Sequence, residues 1–159
     1  MTVKRPKSAG AFTLIEVIAA ILILSIAVLG TSGYRYYAAL DARKATMHTT
    51  AAGIGLLLCE SWRGLSDPNT FAPDTYFGSD LAITPITYLP GFEYEGFTPL
   101  GGYIVVADGA NYYAHLSWKD VSTGLRALNV VVAWTHRGQV VTSIADIDKS
   151  FELTTYTSY

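Results

Sequence analysis

The chain has little cysteine, little charge and no catalytic signature, and each shortage narrows what it does. Cys59 is the single cysteine among 159 residues, so no intramolecular disulfide framework holds the fold. Its neighbours Leu56, Leu57 and Leu58 point to a buried thiol behaving as a small hydrophobe. Charged residues make up 15% of the chain against 50% hydrophobic, which excludes a disordered chain. The formal net charge is −2, and the first ten residues hold Lys4, Arg5 and Lys7 but no acid. Without those cations the balance falls to about −5, so nothing indicates nucleic-acid binding by the remainder as a whole. No HExxH, CxxC, GxSxG or glycine-rich phosphate loop is present. His48, His115 and His136 are scattered over an expected helix, strand and turn. Asp146 and Asp148 could offer oxygens to calcium, but no EF-hand spacing surrounds them. No catalytic residue, metal or cofactor is assigned, and the chain is read as not an enzyme.

What the sequence does have is one concentrated apolar run. Residues 17–29 carry no charge and one polar side chain, Ser25. Extended to residues 12–33, the run has a single charge, Glu16. A helix of that length rises about 30 Å, the hydrocarbon thickness of a bilayer. A cleaved secretory signal has a shorter core and a small-x-small cleavage site, which Leu29-Gly30-Thr31-Ser32-Gly33 supplies poorly. A plain signal anchor has the right length but leaves Glu16 unexplained, since a carboxylate held at mid-bilayer costs about 2.5–3.5 kcal/mol.

A third reading accounts for that charge. The basic leader, then Ala9-Gly10-Ala11-Phe12-Thr13-Leu14-Ile15-Glu16 and Val17-Ile18-Ala19-Ala20-Ile21-Leu22, resembles the class III signal of type IV pilins and type II secretion pseudopilins. The resemblance covers about 25 residues. It implies that a prepilin peptidase cuts before Phe12 on the cytoplasmic side, that Phe12 is N-methylated, and that the helix stays on the mature chain. Ala11 stands where the family usually has glycine, and Gly10 lies one place further back. Cutting after Ala11 makes Glu16 the fifth mature residue, as the family pattern requires, whereas cutting after Gly10 makes it the sixth. The resemblance also gives Glu16 an assembly role: its carboxylate pairs with the Phe12 amino group of a neighbouring subunit, because a buried charge needs a partner. The span lacks the proline of many major pilins, and Gly33 stands near its place, so Gly30 and Gly33 are the expected points of helix flexibility. Lys4, Arg5 and Lys7 precede the span while Arg35, Arg43 and Lys44 follow it. The charge rule alone therefore leaves orientation open, and the motif places the amino terminus in the cytoplasm.

Tyr34, Tyr36 and Tyr37 sit where an interfacial aromatic belt belongs. Leu40, Met47, Ala51, Ile54, Leu58, Trp62 and Leu65 recur near helical spacing, which predicts an amphipathic helix continuing from the span. Met47 and the run of three leucines at 56–58 read as core. Gly53 and Gly55 read as places of close packing. Residues 66–102 hold five of the six prolines and read as an irregular connection with exposed aromatics, either a subunit contact or a cover for the sheet. Strands are expected at 103–107 and 112–118, around Asp108-Gly109-Ala110-Asn111, with Tyr113, His115, Ser117 and Lys119 on a wet face. A second hairpin is expected from 126–134 and 139–144 around His136-Arg137-Gly138, with Leu128, Val130, Val132 and Trp134 on its buried face. Its sequence resembles the last hairpin of minor pilins and minor pseudopilins. Residues 151–157 are either a further strand or a tail.

The expected organisation is thus a leader (1–11), a transmembrane and filament-core helix (12–33), an amphipathic helix (34–65), the connection (66–102), and a sheet with its tail (103–159). The fold class is α+β and pilin-like, a long amino-terminal helix packed on a carboxy-terminal antiparallel sheet. The expected function is that of a minor pilin or pseudopilin, inserted single-pass in the bacterial inner membrane with its carboxy-terminal domain outside the cytoplasm. Its expected partners are other pilin subunits, prepilin peptidase, the inner-membrane assembly platform and, before assembly, lipid. The alternative is a signal-anchored envelope protein that never polymerises and acts as a binding or adhesion module. In that case the leader stays attached and Glu16→Ala leaves no assembly defect.

Overall fold

The computed structural model describes residues 13–65, 67–87, 92, 95–135, 141 and 144–158. The chain divides into two units, Met1–Arg43 and Lys44–Tyr159. One helix, α1 (Leu14–Arg63), contributes to both. It contains no proline, and its breaks are supplied by Gly64 and by the Asp67-Pro68 pair that follows.

In the first unit every described residue is exposed or, at Gly33, partly so. Leu14, Ile23 and Leu29 are 70% exposed or more. Hydroxyls in this stretch turn back onto their own helix. Ser25 donates to the Ile21 carbonyl at 2.7 Å, Thr31 to that of Ala27 at 2.9 Å and Ser32 to that of Val28 at 2.8 Å. Such bonds satisfy hydroxyls that lipid would otherwise meet bare.

In the second unit the sheet is wholly antiparallel, in the order β1 (Ile83–Ile86), β2 (Thr98–Ala107), β3 (Ala110–Ser122), β4 (Leu125–Trp134) and β5 (Lys149–Ser158). Asp108 and Gly109 join β2 to β3 with both φ angles positive, at 51° and 71°. That pair is the two-residue turn whose twist suits a hairpin. Met47, Ala51, Ile54, Leu58, Cys59 and Trp62 from α1 meet Tyr112, Ala114, Leu116, Leu128, Val130, Val132 and Trp134 in one core. The molecule therefore has the α+β, pilin-like arrangement of a long amino-terminal helix followed by a five-stranded antiparallel sheet.

Trp62 also fixes the chain beyond α1. Its indole Nε1–H donates to the Pro68 carbonyl at 2.6 Å, and its ring stacks on Phe71. Arg126, buried over Trp118, donates to Asn69 Oδ1 and to Asp120 Oδ1, each at 2.7 Å. A short 3-10 turn, Pro68–Thr70, is thereby tied to both helix and sheet.

Several expectations require correction. The segment 66–102 contains a five-residue helix, α2 (Pro73–Phe77), as well as β1, and β2 begins at Thr98 instead of at 103. Pro99, Gly101 and Gly102 disguise that strand. A register shift between Pro99 and Gly101 absorbs the irregularity, and Gly102 lets His115 and Ile86 approach where a Cβ would meet both at 3.3 Å. The face of Tyr113, His115 and Ser117 is buried, not wet, because Phe92 and Val141 join Tyr113, Val131 and Ala133 in a second apolar cluster. β4 is paired with β3 on one edge and with β5 on the other, and most of the expected partner 139–144 lies outside the described residues. The expected turn at 136–138 lies outside the described residues. Leu56 and Leu57 are 50% and 43% exposed, since three consecutive helical residues cannot share one face, and Leu40 is exposed as well.

Candidate assembly site at the amino end of the span

Thr13 precedes α1 and Glu16 lies in its first turn. The Glu16 carboxylate reaches back through one oxygen, Oε2, which accepts from the Thr13 amide at 2.8 Å and from the Thr13 hydroxyl at 3.0 Å. The Glu16 amide donates in return to Thr13 Oγ1 at 3.4 Å. This is a capping box: a hydroxyl residue and a glutamate three places on satisfy each other's orphan amides, and the negative charge sits at the positive end of the helix dipole. Among the described residues, Oε1 of Glu16 accepts no hydrogen bond. The side chain is anchored through one oxygen and has a second to offer to a cation. The Thr-x-x-Glu spacing that signals this box is present in the sequence, and Thr13 is the site residue that a reading centred on the charge alone misses.

Ala11 and Phe12, the expected cleavage pair, lie outside the described residues, as does the leader. Gly30 and Gly33 lie within an unbroken stretch of α1, and a Cβ built on either touches nothing within 4 Å. No described atom presses on the helix at those positions. Tyr34, Tyr36 and Tyr37 are exposed, with Tyr36 and Tyr37 edge to face.

Cys59 is buried, and burial is the main reason its thiol is pushed up to about 11, which makes it a poor nucleophile. His115 is stacked flat on Phe92 at 4.2 Å, and burial holds its imidazole down at about 4, neutral at ordinary pH. No group of three or more His, Cys, Asp or Glu converges on a metal-sized site among the described residues.

Residues 6–32 match the family model of the prokaryotic N-terminal methylation motif. It is the class III signal peptide of type IV pilins and pseudopilins. No curated protein and no solved structure matches the chain. The motif implies processing by prepilin peptidase and assembly with other pilin subunits, and it suggests a structural subunit in preference to an enzyme. With the exposed apolar helix it fits a membrane-anchored, single-pass protein.

Proposed function

We propose that this chain is a minor pilin or pseudopilin of a type IV pilus or a type II secretion pseudopilus. In this reading it enters the inner membrane with its amino terminus in the cytoplasm and the unit Lys44–Tyr159 on the far side. Prepilin peptidase cuts between Ala11 and Phe12, and Phe12 is N-methylated. The assembly platform then draws the chain into a filament or its priming tip. The observation that carries the reading is the methylation motif at residues 6–32.

The capping box supports a two-stage role for Glu16. In lipid the carboxylate is held by Thr13 through Oε2, which offsets part of the cost of placing a charge there. In a filament Oε1 accepts the methylated ammonium of Phe12 from the neighbouring subunit. Wrong axial registers leave both charges unpaired, so the pair selects one stagger. Gly30 and Gly33 are the positions at which the helix yields during that transfer.

Intact-mass and amino-terminal peptide analysis of membranes from cells with active prepilin peptidase tests this. The expected product begins at methylated Phe12, and cells lacking the peptidase accumulate the Met1 form. A chain that keeps Met1 despite active peptidase would identify a plain signal anchor and sink the filament reading. Glu16→Ala is expected to leave processing and membrane insertion intact while removing the chain from sheared filaments. Equal recovery in filaments would strip Glu16 of its role.

A further inference from the structure

Of the aspartates in the chain, only Asp108 is followed directly by glycine. The pair makes the turn between β2 and β3, and both residues are exposed. An aspartyl side chain can react with the amide nitrogen of the residue after it, and glycine there has no side chain to block the approach. A Cβ built on Gly109 would itself meet nothing within 4 Å, so the surroundings are open too. The hairpin closes between Ala107 and Ala110, which leaves the Gly109 amide outside the ladder. Asp108 is held at φ 51°, in the left-handed region that residues with a Cβ seldom occupy.

One contact restrains the aspartate. Thr50, on α1, donates its hydroxyl hydrogen to Asp108 Oδ2 at 3.2 Å. Thr50 is itself well placed, because its side chain lies within hydrogen-bonding reach of the hydroxyl of Tyr112, whose ring is buried. The carboxylate is therefore engaged with a different element, and closing a ring onto the Gly109 nitrogen requires its release.

We propose that Asp108 is a site of spontaneous isomerisation to isoaspartate and that Thr50 is the latch that slows it. The Gly109 nitrogen attacks Cγ of the protonated carboxyl. An N–Cγ bond forms, the Cγ–OH bond breaks, and the amide proton leaves with the hydroxyl as water. The cyclic imide then takes up one water from solvent. Opening at Cγ restores aspartate. Opening at the α-carbonyl gives isoaspartate, in which the main chain runs through Cβ and Cγ and the α-carboxylate becomes the side chain. Nothing is oxidised or reduced, and the mass is unchanged. The product carries an extra main-chain carbon inside a two-residue turn whose register, Ala107 opposite Ala110, does not accommodate it. The same step removes the carboxylate that Thr50 holds, so the tie between helix and hairpin is lost with the turn.

The test ages the full chain at mildly acidic pH in detergent micelles, beside the same chain in denaturant. Digestion separates the peptide that spans Asp108 into two forms of equal mass, and a methyltransferase specific for isoaspartyl carboxylates labels one of them. Wild type, Thr50→Val and Thr50→Ser are compared. In micelles the wild type should convert at Asp108 more slowly than in denaturant. Thr50→Val should convert about fivefold faster than wild type, the factor for losing one hydrogen bond. Thr50→Ser, which keeps the hydroxyl, should stay close to wild type, and in denaturant all three should agree. Hydrogen exchange in β4 should be unchanged in Thr50→Val, as for a local release. A folded wild type that shows no conversion at Asp108 after the denatured chain has converted overturns the site. Conversion at Asp74 or Asp80 as fast as at Asp108 overturns it as well. Equal rates for wild type and Thr50→Val overturn the latch, and so does a faster Thr50→Val whose β4 exchange is faster too.

Discussion

The two halves of α1 differ in composition and meet opposite surroundings. From Leu14 to Arg43 the helix is largely apolar and nothing is buried. From Lys44 to Arg63 it is mixed, and Met47, Ala51, Ile54, Leu58 and Trp62 vanish into the core at exposures of 7% or less. The lesson is that burial within one chain is not the only use of apolar surface. The first half keeps leucine and isoleucine at every angle, as a helix solvated by lipid or by other helices must. The second half buries one stripe and leaves Leu56 and Leu57 half exposed outside it, beside polar residues on the far side. The small polar side chains of the first half bond to their own carbonyls, whereas Thr50 in the second donates to Asp108 Oδ2 on the β2–β3 turn, 3.2 Å away.

The sharpest way to break this comparison is to truncate one large residue in each half. Trp62→Ala removes a fully buried indole, its 2.6 Å bond to Pro68 and its stack on Phe71. It should cost the second unit about 3–5 kcal/mol in chemical denaturation. Leu22→Ala, at a side chain 58% exposed, should move that same transition by less than about 0.5 kcal/mol. Similar losses from both substitutions would mean that the first half shares the cooperative core, contrary to the division drawn here.

A smaller effect is expected at the second sheet face, where a polar side chain is kept dry. Burial lowers His115 from 6.5 to about 4 in the folded state. The unfolded chain therefore takes up a proton between those values that the folded chain refuses. Stability from this group is full above pH 6.5 and declines as pH falls toward 4, by about 3 kcal/mol across the window. Denaturation of the wild type and of His115→Leu at pH 7 and at pH 4 should show the steeper acid loss in the wild type. Parallel pH profiles would place His115 in contact with water.

How much was legible follows from the same distinction. The span was readable because an apolar helix of that length repeats one simple pattern on residue after residue. The helix stripe 47–62 was readable because its period is regular, and so was the Asp108-Gly109 turn, whose residues accept positive φ. β1 and the start of β2 were hidden because Pro85, Pro99, Gly101 and Gly102 are individually strand-averse, and only the register with β3 and the close approach of His115 explain them. The second face was misjudged because Tyr, His and Ser suit both water and interior. What decides between them is Phe92 and Val141, which are distant in sequence from the strands they cover. The strand paired to β4 was misjudged for a related reason. A Gly-containing turn after Trp134 promised a local partner, while the actual one, β5, begins at Lys149.

The smallest expected effect concerns two glycines one turn-fraction apart in the second half of α1. A Cβ at Gly53 touches nothing within 4 Å, while one at Gly55 meets Cδ1 and Cε1 of Phe151 at 3.1 Å. Gly53→Ala gains helix propensity without a steric penalty and should stabilise the second unit by about 0.5–1 kcal/mol. Gly55→Ala gains the same propensity but must displace a ring that also lies edge-on to His48. Overpacking should outweigh the gain and leave it about 1 kcal/mol less stable than the wild type. Thermal melts of the two variants should therefore shift in opposite directions. If both shift upward, Phe151 yields freely and the helix is less tightly seated on β5 than a 3.1 Å approach implies; if both shift downward, Gly53 too faces a neighbour that its open surroundings do not reveal.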